Sequence, residues 1–152
     1  MYGTVDWYLH LKTVPGLKDL NRDISTACNF IAKRGELVTA SKVVSELTLG
    51  FWVQLLNAEY ELILWKGLRK SFPFMPKKDR KRHKVSAPVN QIRNFRNRVY
   101  HNQPVCWNFK VLEEIHQNIY EILGWINKDI PEYAERVDRF KMVLEQAKIK
   151  LV

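Results

Sequence analysis

Arg96 and His101 are the two residues of this 152-residue chain whose types and spacing point most directly to chemistry. A guanidinium is a permanent, forked donor that matches phosphate oxygens, and an imidazole can take and return a proton near neutral pH. Together they suit cleavage of a phosphodiester without a metal ion, with the arginine stabilising charge that develops on the phosphate. Asn97 is a third candidate, because its amide can orient the imidazole or donate to a phosphate oxygen. The spacing alone is weak evidence, since such pairs occur by chance in basic helices.

These residues must be positioned by the end of a helix. We expect that helix to run from near Ser86 to about His101 or Asn102, because Pro104 disfavours helical geometry at the residue before it. Its core-facing residues are predicted to be Ile92, Phe95 and Val99. In an ideal helix Arg96 and His101 lie about 140° apart around the axis, too far to clasp one phosphate together. A second copy of the helix would supply the missing group, so we expect a composite site at a homodimer interface.

The positive charge of the chain is concentrated just before and within this helix. The net charge is +9, and residues 66–98 carry twelve Lys/Arg and one Asp/Glu. A polyanion is the natural partner of such a block, although a solvated basic loop without a specific ligand is the alternative. The candidate substrate-binding residues are Lys78, Arg80, Lys81, Arg82, Lys84, Arg93, Arg98 and Tyr100.

The rest of the chain has helical periodicity, which predicts an all-α bundle of about five to six helices in a single domain, residues 1–152. Besides the helix described above, we expect five others. They run from near Pro15 to Gly35, from Thr39 or Ser41 past a mid-helix Gly50 to about Leu56, over 59–71, over 109–127, and from Asp129 through Leu144. Residues 72–76, with two prolines around aromatics, predict a packed, non-helical connector.

Several classes of protein are disfavoured by composition. Cys28 and Cys106 are too few for a disulfide framework or a Cys/His metal box, and no carboxylate cluster suggests a Mg²⁺ site. We therefore expect no cofactor and no metal. The chain has no apolar run of the roughly 18 residues needed for a membrane span, and its first residues do not resemble a secretory signal. We expect a cytoplasmic protein with no membrane partner.

The motif region resembles a known family. Residues 92–104 read Ile-Arg-Asn-Phe-Arg-Asn-Arg-Val-Tyr-His-Asn-Gln-Pro. This string is similar to the Leu/Ile-Arg-x-x-Arg-Asn-x-x-x-His-x-x-Pro motif of the Abi-like (abortive infection) branch of the HEPN superfamily. Residues 46–53, Glu-Leu-Thr-Leu-Gly-Phe-Trp-Val, resemble the Glu-Leu-Ser-Phe-Gly-x-Trp helix of that branch, and residues 68–73 precede the motif helix as they do there. The resemblance spans roughly residues 39–127.

The resemblance implies a HEPN-like four-helix core that dimerises through the motif helices. It also implies endoribonuclease activity, with the RNA 2′-hydroxyl as nucleophile and Arg96, Asn97 and His101 as catalytic residues. The biological setting would be phage defence, of the abortive infection or toxin–antitoxin type, with an antitoxin or inhibitor protein as a further partner. Glu46 matches a family position, and it is either a supporting residue of the cleft or a surface helix acid. Two other functions stay open: a non-catalytic RNA-binding module, and a structural or antitoxin-binding dimer.

Overall fold

The computed structural model describes residues 7–106 and 108–151, and within them it contains nine α-helices and no strand. This confirms the all-α prediction at the level of fold class. The chain divides into two compact units, one up to Gly67 and one from Leu68 onward. None of the described helices is both long enough and apolar enough to cross a membrane.

The first unit is organised around its longest helix. The helices are α1 (Trp7–Thr13), α2 (Lys18–Lys33), α3 (Ala40–Glu46), α4 (Leu49–Gln54) and α5 (Glu61–Leu68), which ends at the unit boundary. Helix α2 contacts α1, α3 and α4 through an apolar stripe that the sequence predicts, Leu20, Ile24, Ala27 and Ile31, all buried. It ends before Gly35, whose φ of 73° is a left-handed conformation that glycine adopts at little cost.

The second predicted helix is in fact two helices. The chain leaves helical geometry at Leu47 and Thr48, and the Thr48 hydroxyl accepts a hydrogen bond from the Phe51 backbone N–H at 3.4 Å, which caps α4. Gly50 therefore lies in the first turn of α4 rather than in the middle of a long helix. Helix α1 is absent from the sequence-based prediction altogether.

The second unit contains α6 (Arg82–Tyr100), α7 (Phe109–Ile126), α8 (Ile130–Glu135) and α9 (Phe140–Leu151). Helix α6 packs on α7, and α7 packs on α8. The connector at 72–76 is packed and non-helical as predicted, because Met75 is buried and the Phe74 backbone N–H donates to the Trp125 carbonyl at 3.1 Å. Among the described residues of this unit, the buried side chains are Met75, Val85, Ile115, Ile122, Trp125 and Leu144.

Helix α6 begins four residues earlier than predicted, so the last part of the basic run is helical. Pro88 lies inside it and removes one backbone hydrogen bond. The helix continues past Pro88 because Val85 is fully buried and because side chains of its first turns form hydrogen bonds within the helix. Arg82 donates to the Ser86 hydroxyl at 2.9 Å, and Asn90 donates to the Ser86 carbonyl at 2.8 Å.

Two further expectations are wrong in this unit. Val99 does not face the core, since 49% of it is exposed, while Ile92 and Phe95 are half-buried. The reason is that α6 is tightly packed only near its start, where Val85 is its one buried residue. The last predicted helix is also broken, because Asp138 accepts a hydrogen bond from the Phe140 backbone N–H at 2.7 Å and so starts α9 as a separate helix.

Candidate functional site

The C-terminal end of α6 has the hydrogen-bond pattern of a Schellman motif. The backbone N–H of Asn102 donates to the Val99 carbonyl at 3.1 Å, and that of Gln103 donates to the Arg98 carbonyl at 2.9 Å. Asn102 takes the left-handed conformation that this motif requires, with φ of 52°. The backbone N–H of His101, one residue earlier, still donates to the Asn97 backbone carbonyl at 3.0 Å. The position of the imidazole is therefore defined by a closed helix end rather than by a free loop.

Tyr100 joins the two main candidate residues. The Arg96 guanidinium lies over the Tyr100 ring, 4.8 Å from its centroid, which is cation–π geometry. The Tyr100 and His101 rings meet edge to face with centroids 5.5 Å apart. The guanidinium carbon and the imidazole are thus separated by at most the sum of these two distances, about 10 Å. Arg96 also donates to the Asn97 side-chain oxygen at 3.3 Å, so all four side chains form one contiguous group.

This group is open to solvent. Arg96, Asn97, Tyr100 and His101 are all exposed, Tyr100 to 70%. The exposed arginine can bind an anion, and the imidazole can transfer a proton. The aromatic ring provides a surface on which a nucleobase can stack.

The two other arginines of the motif region are more enclosed. Arg93 is half-buried, and its Nη2 lies 3.5 Å from the Asn94 side-chain oxygen. Arg98 is also half-buried and donates to the Pro104 carbonyl at 3.1 Å. Arg98 therefore holds the segment that follows the helix end, which is a structural role beside the substrate-binding one predicted for it.

The basic residues between Lys78 and Lys84 divide into two groups. Arg80 donates to the carbonyls of Met75 and Pro73 at 3.0 and 2.9 Å, so its guanidinium stabilises the connector, and Arg82 binds Ser86. The remaining predicted contact residues, Lys78, Lys81 and Lys84, are exposed. In the described part of the chain these three ammonium groups have no ion-pair partner, and they are free to meet an anion.

Glu46 lies in the first unit, at the end of α3, where its carboxylate is engaged by Arg34. The two side chains form an ion pair at 2.7 Å, and Arg34 also binds Glu36 at 2.9 Å. The hydrogen bonds that Arg34 donates to Glu46 and Glu36 raise the pKa of Arg34. This network gives Glu46 a local structural partner.

A second polar cluster, on α7 and the turn before α9, is not among the sequence-based candidates. Asp138 accepts from His116 Nε2 at 2.6 Å and from the Tyr120 hydroxyl at 2.8 Å, and His116 stacks on Phe140 with ring centroids 4.2 Å apart. The hydrogen bond from the Phe140 backbone N–H, together with those from His116 and Tyr120, lowers the pKa of Asp138 to about 2. Burial and the bond to Asp138 raise the pKa of Tyr120 to about 12.

The cluster lines an open cavity of about 660 Å³. His116 and Tyr120 are four residues apart on α7, which the sequence could have placed on one face. The sequence does not place Asp138 beside them, because Asp138 lies in the turn that starts α9. The hydrogen bonds of Asp138 hold the turn between α8 and α9 against α7. The cluster therefore has a structural role.

No group of three or more His, Cys, Asp or Glu side chains that could hold a metal ion occurs among the residues described. Comparisons of the chain with models of protein families, with curated proteins and with solved structures find no match.

Proposed function

We propose that this protein is an endoribonuclease of the HEPN type, similar to the Abi-like branch, that cleaves RNA through its own 2′-hydroxyl without a catalytic metal. The observation that carries the proposal is the contiguous group of Arg96, Asn97, Tyr100 and His101 at a closed helix end. The resemblance of residues 92–104 to the family motif supports it independently of the geometry. Phage defence, of the abortive infection or toxin–antitoxin type, is the biological role that this resemblance suggests.

In the proposed reaction the 2′-hydroxyl oxygen attacks the adjacent phosphorus, and its proton passes to a His101 imidazole. The bond from phosphorus to the 5′-oxygen breaks, and that oxygen takes a proton from an imidazolium. The products are a 2′,3′-cyclic phosphate and a free 5′-hydroxyl. Arg96 stabilises the negative charge on the non-bridging oxygens in the transition state. RNA is the substrate because DNA lacks the nucleophile.

A homodimer is part of the proposal. Arg96 and His101 diverge around the axis of α6, and Val99 and Tyr100 expose apolar surface between them, 49% and 70% of each residue. Packing two α6 ends against each other would cover this surface and place two imidazoles in one cleft. The imidazole of one chain would then act beside Arg96 of the other, first as the base and, once protonated, as the acid.

The test is cleavage of single-stranded RNA by the purified protein in EDTA. Arg96→Ala and His101→Ala should each lower the rate by at least about 100-fold, the usual effect of removing a charge-stabilising or proton-transfer group. His83→Ala and Arg69→Ala are matched controls, because both side chains are exposed in the same unit and neither belongs to the group. Full activity in both Arg96→Ala and His101→Ala would refute the proposal.

Mixing the two inactive variants tests the shared cleft. If the site is composite, subunits carrying Arg96→Ala and His101→Ala should regain part of the activity after exchange, because a mixed dimer keeps one arginine and one imidazole. No recovery in samples shown to contain mixed dimers would mean that each site is built from a single chain.

Non-catalytic RNA binding is the second candidate, and the exposed Lys78, Lys81 and Lys84 favour it. In that case the affinity for RNA should fall steeply with salt while the RNA stays intact.

A further inference from the structure

A small cavity lies between α6 and α7, within the second unit. It is lined by the same side of α6 on which His101 lies further along the helix. Its volume is about 290 Å³. Ligand sites in proteins usually measure roughly 300 to 1,000 Å³, so this cavity is suited to one flat ring system rather than to a large molecule. Among the described residues that line it, four have polar side chains, Gln91, Asn94, Arg98 and Asn108, and the apolar ones include Phe95 and Val111.

The polar lining offers mainly hydrogen-bond donors. Asn108 uses its side-chain oxygen to accept the Val111 backbone N–H at 3.1 Å, so its amide N–H groups are left for a ligand. Gln91 uses its side-chain oxygen to accept from Asn118 at 2.7 Å, which leaves its N–H groups in the same way. Arg98 adds a positive charge. No carboxylate occurs among the described residues that line the cavity.

A ligand that fits this lining has apolar faces and an edge rich in acceptors. A nucleobase has both, and the bases differ in their edges. On the edge away from its amino group guanine presents the O6 and N7 acceptors, and uracil presents a carbonyl oxygen at the matching position. Adenine and cytosine carry a donating exocyclic amino group there. An amino group that faces the amide N–H groups of Gln91 and Asn108 would form no hydrogen bond with them, because both sides are donors. The lining therefore favours the keto bases.

The cavity is aligned with the proposed catalytic residue. Asn94, Arg98 and His101 are at positions i, i+4 and i+7, which places them on one side of α6, and Arg98 precedes His101 by roughly 5 Å along the helix axis. The segment just beyond His101 also contributes, because Val105 lines the cavity and Arg98 binds the Pro104 carbonyl.

We propose that this cavity receives the base of a nucleotide next to the scissile phosphate and selects uracil and guanine over adenine and cytosine. The position of this base next to the scissile phosphate rests on the proposed ribonuclease function, whereas the binding of the base does not. Single-stranded RNA suits such a site, because its bases can unstack and present their edges to side chains.

The experiment is a titration of the ¹⁵N-labelled full chain with UMP, GMP, AMP and CMP, followed through the side-chain amide signals of Gln91, Asn94 and Asn108. UMP and GMP should shift these signals and bind at least about fivefold more tightly than AMP and CMP, the smaller end of the discrimination that paired hydrogen bonds to a base provide. Equal shifts with all four nucleotides, shifts confined to the lysines before α6, or no shifts would each overturn the proposal.

Two variants test the location. Val111→Phe fills the cavity and should weaken UMP binding about tenfold, whereas Val137→Phe adds the same side chain at a residue that is 80% exposed and outside the cavity lining. If Val111→Phe fails to fold, Asn94→Asp places a carboxylate among the donors and should likewise weaken UMP and GMP binding. Unchanged affinity in a folded variant of either kind would assign the binding to another surface.

The outcome is separable from that of the cleavage assay. Keto-selective shifts without any RNA cleavage would refute the ribonuclease function and the link to a scissile phosphate, while the base site would stand. Cleavage in EDTA without these shifts would refute the cavity assignment alone.

Discussion

Replacing Asp138 with Asn should destabilise the second unit in a manner that depends on pH. The Asp138 carboxylate accepts three hydrogen bonds, from the Phe140 backbone, His116 and Tyr120. These lower its pKa from the ordinary 3.8 to about 2. At about 1.4 kcal/mol per pKa unit the upper limit of the contribution is about 2.5 kcal/mol. A quarter of the side chain is exposed, so solvent screening reduces the expected loss at pH 7 to roughly 1–2 kcal/mol.

The pH dependence has a definite sign. Because the folded state lowers the pKa, the stabilisation by Asp138 is complete above pH 3.8 and is lost as the pH falls through about 2. Urea unfolding at several pH values between 7 and 2, followed by circular dichroism, measures the difference between the wild type and Asp138→Asn. Glu121→Gln is the control, since this exposed acid lies on the same helix as His116. A difference that stays constant over this range, or that equals the control, would refute the reasoning.

Two further predictions concern the helix end and the basic segment. Asn102→Ala should cost about 1 kcal/mol in urea unfolding, because alanine tolerates a φ of 52° poorly, whereas Asn102→Gly should be neutral or stabilising by a few tenths; equal stability of the two variants would exclude strain at this position. Replacing Lys78, Lys81 and Lys84 with Gln should reduce the slope of log affinity for single-stranded RNA against log salt by about 2, measured by fluorescence anisotropy. An equal change on replacing three exposed lysines of the other unit would contradict this, and those control lysines are Lys12, Lys18 and Lys33.

Long apolar stripes made much of the fold predictable from the sequence. The buried stripe of α2 repeats at three- and four-residue steps, and Gly35 marks its end, so the helix and its inner face follow from the pattern. Helix α7 matches its predicted range to within one residue at its end.

The helix breaks were not predictable in the same way. Thr48 and Asp138 each bind a backbone N–H a few residues later and so start new helices within stretches whose apolar periodicity continues. Local side-chain bonds of this kind compete with the helical backbone, and the apolar pattern does not report them. The exposure of Val99 had a different cause, because it depends on how far α7 covers α6 and not on the periodicity of α6 itself.

The candidate site was predictable in its residues but not in its contacts. Arg96, Asn97 and His101 follow from residue type and spacing, whereas the role of Tyr100 between the guanidinium and the imidazole depends on rotamers. In the same way, the sequence identifies Arg80 as basic but does not show that the connector carbonyls engage it. The cavity between α6 and α7 arises from two helices together and has no signal in either alone.

The central claim is that Arg96 and His101 cut RNA through its 2′-hydroxyl. The most direct measurement is end-group analysis, by mass spectrometry, of RNA incubated with the protein in EDTA, beside an identical strand with 2′-O-methyl groups. Our account predicts 2′,3′-cyclic phosphate and 5′-hydroxyl ends from the unmodified strand, no cleavage of the methylated strand, and no cyclic phosphate with His101→Ala. Intact RNA, cleavage of the methylated strand, or undiminished cyclic phosphate with His101→Ala would contradict it.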